Sequence, residues 1–304
     1  MKSDENIRLD ALRAIRVEFG FVKAALKRLS TLHASAPRPR EGHVFTIVGE
    51  SRSGKTTILD LHEEKFASPG PRPRRVARLT LLSKCNERTL AASVLEAMGD
   101  PAASTNSRVQ SLTRIPMVSK TMGVEMIIID EAQHLVNRRN KEINYDAADA
   151  IKVLADLVGI PIVLAGTEDL DRLIAANLQL EGRLRGRIAI APFDVSSDDS
   201  FKELRCFLRY YDLEMPFPMT GGLHEPHLAR AIHSATSGLI GLITRLLQRS
   251  GELAIDDGRP FIDLYHLGCA WEELTASSAY GRSLSNPFDR LREPKREEKP
   301  QRSD

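Results

Sequence analysis

An α/β fold, in which helices flank a parallel sheet and a small all-helical domain follows, is what these 304 residues predict. Three observations carry that expectation. Short apolar runs alternate with helical patterns from residue 44 to residue 193. The runs are apolar at nearly every position, as strands covered on both faces are. Past Ser196 the strand-like runs stop and only helical periodicity remains.

Taken in order, Leu12, Ile15, Phe19, Val22, Leu26 and Leu29 recur three and four residues apart and predict one helical stripe. Residues 1–40 therefore read as an N-terminal helical segment that ends in the loop ASAPRPREG at 34–42. The α/β domain spans 41–196. Within it, VFTIV at 44–48 is the first strand and a helix runs from about Lys55 to Phe66. A proline-rich loop at 67–74 leads to a second strand at 76–82 and a helix over about Arg88–Met98. MIIID at 126–130 is the third strand, followed by a helix over about 147–158. IPIVLAG at 160–166 and RIAIAPF at 187–193 complete the strands. Helices are predicted over 198–212, 225–236, 238–253 and 262–275, giving a helical domain at 197–275. Residues 276–304 are polar, with Pro287, Pro294, Pro300 and the run KREEK, and read as a flexible tail or one ordered by a partner.

Composition narrows the function classes. Hydrophobic content of 42% and charged content of 28% are those of an ordinary globular chain. No apolar run approaches the ~20 residues that span a bilayer, and the first residues lack a secretory signal's apolar stretch. Cys85, Cys206 and Cys269 lie too far apart to suggest a disulfide framework or a zinc site, so a cytoplasmic setting is expected. A net charge of +2 does not announce a nucleic-acid binder. Basic residues nevertheless cluster at Arg72, Arg74, Arg75 and Arg78, at Arg138, Arg139 and Lys141, and at Arg183, Arg185 and Arg187. Such clusters are ordinarily solvated surface.

GESRSGKT, residues 49–56, lies between the first strand and a helix, where G-x-x-x-x-G-K-[ST] makes physical sense. Gly49 and Gly54 let the backbone curl so that the N–H groups of Glu50, Ser51, Arg52 and Ser53 share a concave anion site. The helix N-terminus at Lys55, Thr56 and Thr57 adds partial positive charge. Lys55 would reach the β and γ phosphates of ATP, and the Thr56 hydroxyl would bind Mg²⁺.

MIIIDEAQHL at 126–135 is an apolar strand that ends in adjacent carboxylates. Desolvating a carboxylate costs several kcal/mol unless something compensates, and a magnesium ion beside a triphosphate does so. Asp130 would bind Mg²⁺ directly or through water. Glu131 would orient and deprotonate the attacking water.

GESRSGKT, IIIDEAQHL, IVLAGTEDL and the arginine-rich QLEGRLRGRIAI together closely resemble the P-loop AAA+ ATPases of the TniB/TnsC type, over roughly residues 10–270. Those are ATP-dependent regulators of DNA transposition, and the secretion ATPase ExeA shares their core. The resemblance implies that Thr167 is the first sensor of the γ-phosphate; a helix N-cap is the alternative. It implies an arginine finger supplied by a neighbouring subunit, with Arg183 best aligned and Arg185 and Arg187 as competitors. Gly241 stands where related lid helices carry a second-sensor arginine, which fits a slow switch.

The resemblance further implies a homo-oligomer, a ring or helical filament, assembled with ATP on double-stranded DNA. It would mark a target, recruit a transposase and a targeting adaptor of the TniQ type, and disassemble on hydrolysis. Lys84, Asn86 and Arg88, or alternatively Arg138, Arg139 and Lys141, are the expected DNA contacts. No base-reading motif is evident, so contact should be sequence-tolerant. An ExeA-like envelope ATPase and a nucleotide-gated interaction protein with little hydrolysis are the alternatives.

Overall fold

The computed structural model describes residues 2–34, 43–67, 75–81, 87–103, 108–136, 145–276 and 285–291. The elements run α1 (Lys2–Ala14), α2 (Gly20–His33), β1 (Val44–Gly49), α3 (Lys55–Lys65), β2 (Val76–Thr80), α4 (Glu87–Ala97), α5 (Arg108–Met122) and β3 (Met126–Asp130). They continue as α6 (Tyr145–Val158), β4 (Ile162–Gly166), α7 (Asp169–Ala175), α8 (Leu178–Glu181) and β5 (Leu184–Ile190). Four more helices follow: α9 (Asp198–Glu214), α10 (Pro226–Thr236), α11 (Ile240–Asp256) and α12 (Leu264–Ala276). Two compact units result, Gly20–Ala191 and Met1–Phe19 together with Pro192–Asp304.

The first unit carries the expected parallel sheet, in the order β2-β3-β4-β1-β5 with every pairing parallel. Alternation within each strand explains why the runs are apolar throughout. Ile127 and Ile129 of β3, with Ile162 and Leu164 of β4, meet the core shared with α4, α5 and α6. Met126 and Ile128, with Val163 and Ala165, meet the opposite core formed with α2 and α3. Two buried faces demand apolar side chains at both parities. Edge strand β5 differs: its exposure alternates along Leu184–Ile190, so it begins three residues before the apolar run that marked it in the sequence.

Helix α5 was not anticipated. Pro116 lies inside it, and its buried apolar contribution includes Ile115 and Val118 on an otherwise polar segment. The pattern is too thin to stand out.

The single N-terminal stripe needs correction. Residues 15–19 are not helical, and the chain divides there into α1 and α2. Val22, Leu26 and Leu29 pack in the sheet unit. Leu12 and Ile15 are buried in the helical unit instead. Each half of the apparent stripe answers to a different core, and the three-and-four spacing across the break is coincidental. In the helical unit α1 is fixed by Arg13 to Glu252 at 2.8 Å and by Arg8 Nε donating to the Pro216 carbonyl at 3.1 Å. Phe19 lays its ring against Phe207, with centroids 6.1 Å apart.

The expected flexible tail also needs correction over residues 285–291; most of the remainder of 276–304 lies outside the described residues. Phe288 is fully buried, and Asn286 Nδ2 donates to the Gly268 carbonyl at 3.2 Å and to Glu272 Oε1 at 3.0 Å. One aromatic side chain in a polar stretch anchors this segment, because burying a phenylalanine is worth about 2–3 kcal/mol.

A buried imidazole pair joins α2 to α3. His33 Nε2 faces Glu125 Oε2 at 3.1 Å, and His33 Nδ1 lies 3.2 Å from His62 Nε2. Arg75 pairs with the other Glu125 oxygen at 2.9 Å, and Phe66 stacks on both rings. The carboxylate calls for a proton on His33 Nε2, so His33 Nδ1 accepts from His62 Nε2. That leaves His62 Nδ1 buried without a partner, and a proton added there would have nothing to bond. Burial, then the neighbouring charges of His33 and Lys65, lower the pKa of His62 from 6.5 to about 4. Well above pH 6.5 both folded and unfolded chains hold it neutral, and it contributes nothing to pH dependence. As pH falls from 6.5 toward 4 the unfolded chain takes up a proton that the folded chain refuses, so stability is lost. The loss should reach at most roughly 3 kcal/mol. Denaturant midpoints measured across that window should fall less for His62→Phe than for the parent; equal falls would contradict the assignment.

Candidate nucleotide site

The strands run parallel, so the C-terminal ends of β1, β3 and β4 share one edge of the sheet, where open α/β sheets bind ligands. That edge carries Gly49, Asp130 and Gly166–Thr167.

After Gly49 the chain turns through Glu50–Gly54 into α3, with Ser53 N donating to the Glu50 carbonyl at 3.2 Å. Arg52 at φ 66° and Gly54 at φ 92° adopt left-handed conformations that curl the loop. Gly54 is the N-cap and offers no side-chain cap, so the first N–H groups of α3 at Lys55, Thr56 and Thr57 have no side-chain acceptor from it. Lys55 is buried, and its ammonium donates to the carbonyls of Gly49 at 2.8 Å and Glu50 at 2.6 Å and to Ser53 Oγ at 3.4 Å. Burial lowers its pKa against the opposing pull of Glu131, Asp130 and Glu50. An uncapped helix N-terminus, a curled loop and an inward ammonium fit a phosphate chain.

Asp130, 3% exposed, ends β3. Its Oδ1 accepts from Glu131 N at 2.9 Å, and its Oδ2 accepts from Thr56 Oγ1 at 3.5 Å and from Arg78 Nη2 at 2.8 Å. Among the described residues no group of three or more His, Cys, Asp or Glu forms a metal cage. One carboxylate beside one threonine hydroxyl does suit Mg²⁺, which keeps waters and takes its other ligands from phosphate. Thr56 and Asp130 would hold it.

Arg78 corrects the reading of its cluster as solvated surface. Its side chain is only 14% exposed and ties Asp60 of α3 to Asp130 of β3, with Glu63 at 3.6 Å. Burial works against its charge, and the hydrogen bonds from Asp60 and Asp130 outweigh that and raise its pKa. A sequence signal existed: a cation in the middle of a buried strand must find a carboxylate.

Glu131 begins the turn after β3 at φ 53°, a left-handed conformation. Its Oε2 accepts from Gln133 Nε2 and lies 4.0 Å from His134 Nε2. Thr167, just past β4, donates its backbone N–H to Gln133 Oε1 at 3.2 Å and its hydroxyl to Asp169 Oδ2 at 3.4 Å. The N-cap of α7 is Glu168, not Thr167.

The three arginines at and just before β5 differ sharply. Arg183 forms a fork with Asp156 at 2.6 and 2.7 Å and donates to the Gln179 carbonyl at 2.6 Å. Arg187 forms a fork with Asp171 at 3.0 and 2.8 Å. Arg185 is exposed and has no ion pair or hydrogen bond to its guanidinium among the described residues. Lys84, Asn86, Arg138, Arg139 and Lys141 lie outside the described residues, and Arg88 falls in the first turn of α4, its side chain undescribed. No helix among the described residues is long and apolar enough to cross a membrane.

A five-stranded parallel sheet with β1 between β4 and β5, a curled loop between β1 and α3 and a carboxylate pair at the end of β3 define a P-loop AAA+ fold with a helical C-terminal part. The family described as Bacterial TniB protein matches residues 9–190, more than half of the chain, and the chain belongs to that family.

Solved structures are similar in fold. The Aeropyrum pernix ORC2 protein in ADPNP-ADP complexes matches with a TM-score of 0.62 at 18% identity, covering 89% of this chain and 72% of that one. The Aeropyrum pernix ORC1 protein in complex with DNA matches with a TM-score of 0.56 at 17% identity, covering 83% and 65%. The Walker-type ATPase PABY2304 of Pyrococcus abyssi matches with a TM-score of 0.54 at 15% identity, covering 87% and 72%. No curated protein matches the chain in sequence.

Proposed function

We propose that this chain is an ATPase of the cytoplasm that assembles on double-stranded DNA when ATP is bound, marks a target for transposition and disassembles on hydrolysis. The observation that carries the reading is the cradle itself. Lys55 sits within the curled loop and the Asp130–Glu131 pair stands on the same sheet edge. Membership in the TniB family favours transposition as the setting, and a DNA complex of a protein with a similar fold favours DNA as the partner.

The chain's own groups divide the work. The loop amides and the Lys55 ammonium bind the phosphates of ATP. Mg²⁺, held by Thr56 and Asp130, supplies charge that offsets the negative phosphate oxygens. Glu131 takes a proton from water, and Thr167 reads the γ-phosphate. Arg185, rather than Arg183, is the arginine free to reach the site of a neighbouring copy, because Arg183 is held by its fork with Asp156 and by the Gln179 carbonyl, and withdrawing it would leave Asp156 with Lys152 at 4.0 Å in place of two hydrogen bonds. Site sharing between copies ties nucleotide state to oligomer state by linkage. A transposase and a TniQ-type adaptor are the partners this reading implies, and Gly241 in place of a lid arginine fits slow turnover.

DNA affinity measured with and without a non-hydrolysable ATP analogue tests the proposal. The analogue should raise affinity at least tenfold, and binding should weaken steeply with salt as phosphate contacts are screened. Lys55→Ala should lose the nucleotide effect. Equal affinity with and without nucleotide would contradict the reading.

A further inference from the structure

We propose that Gln133 is a positioning residue whose amide bridges the base Glu131 to the backbone of the sensor residue Thr167. The inference rests on the ATPase reading above. It begins from burial: Gln133, in the 3-10 turn Ala132–Leu135, is 3% exposed, so both ends of its amide need partners. Both have them. Nε2 donates to Glu131 Oε2, and Oε1 accepts from Thr167 N at 3.2 Å. The amide cannot be turned over, because a carboxylate only accepts and a backbone N–H only donates.

The surroundings are shaped to this side chain. Gly166 precedes Thr167 at the end of β4, and a Cβ there would fall 2.5 Å from Gln133 Oε1 and 3.0 Å from Gln133 N. Any larger residue at 166 would displace the bridge. On the other side, Glu131 adopts φ 53°, a left-handed arrangement that is strained for a non-glycine residue and needs support from its surroundings. The bond from Gln133 is part of that support. It engages only Oε2, and Oε1 accepts no hydrogen bond from a described residue, which leaves it for water. One rigid group thus sets the distance between the proton acceptor and the sensor strand. Movement of Thr167 is carried directly to the Glu131 carboxylate.

Two variants and two readouts test this. Gln133→Met removes both bonds at similar volume; Gly166→Ala keeps Gln133 but displaces its amide. Each should lower kcat by about tenfold to a hundredfold, within the range of general-base contributions, with KM and ATP-analogue affinity within about twofold of the parent. Each should also speed hydrogen exchange of the Thr167 amide at least tenfold. In a Glu131→Gln background, Gln133→Met should lower residual turnover no further, since it acts through Glu131, while Thr167 exchange still accelerates. A kcat within twofold of the parent in both variants, an unchanged Thr167 amide, or an equal added loss without Glu131 overturns the bridge. A parent that neither binds the ATP analogue nor hydrolyses ATP overturns the ATPase reading as well, so the two failures are distinguishable.

Discussion

Glu131→Gln is expected to lower ATP turnover at least a hundredfold while leaving nucleotide binding near that of the parent, because a general base typically contributes about 10²–10⁴. The binding elements lie elsewhere. The Lys55 ammonium, the curled loop and the Asp130–Thr56 pair do not depend on the Glu131 carboxylate for position, since Asp130 is held through the Glu131 backbone N–H and through Arg78. The substituted amide is the same size and cannot take a proton from water. If assembly on DNA follows bound ATP, this variant should accumulate on DNA and fail to leave. Single-turnover hydrolysis and a DNA dissociation time measure the two effects. Hydrolysis at the parent rate would remove Glu131 from the role of base.

The second large effect belongs to β5. Arg185→Ala should abolish most hydrolysis, by about 10³-fold if it acts as an arginine finger, without lowering the thermal midpoint of the isolated chain. Its guanidinium has no partner within the described chain, so removing it breaks no contact there. Arg183→Ala should behave in the opposite way. It removes a partly exposed fork with Asp156 and a bond to the Gln179 carbonyl, costs about 1 kcal/mol of stability and leaves hydrolysis within a few-fold. A large loss of hydrolysis at Arg183 with none at Arg185 would reverse the assignment and restore the position that motif alignment prefers.

The contrast between those residues marks what a sequence can carry. The places of GESRSGKT after β1 and of Asp130 and Glu131 at the end of β3 were legible because each motif is written in adjacent residues at the end of a recognisable strand. The parallel sheet was legible because two buried faces force unbroken apolar runs. The partners of Arg78 were not, since Asp60 and Asp130 stand 18 and 52 residues away, although a cation in a buried strand did signal that it needed one. Gln133 was not, because its acceptor end meets a backbone amide 34 residues on. The break between α1 and α2 was hidden by spacing that continued across it. Phe288 was hidden by its polar neighbours. Contacts across sequence distance decided each of these, and periodicity does not record them.

In the function proposed above, each ATP lies between two copies, bound by the Lys55 loop and Glu131 of one and reached by Arg185 of the next. Mixing the Arg185→Ala and Glu131→Gln proteins, each inactive alone, tests it most directly. In a head-to-tail assembly an intact site forms wherever an Arg185→Ala copy supplies the loop and base and a Glu131→Gln copy supplies the arginine. An equal mixture should therefore recover about a quarter of the parent's turnover, because each such site needs one copy of each kind in a fixed order. A mixture as inactive as its components would contradict a site shared between subunits.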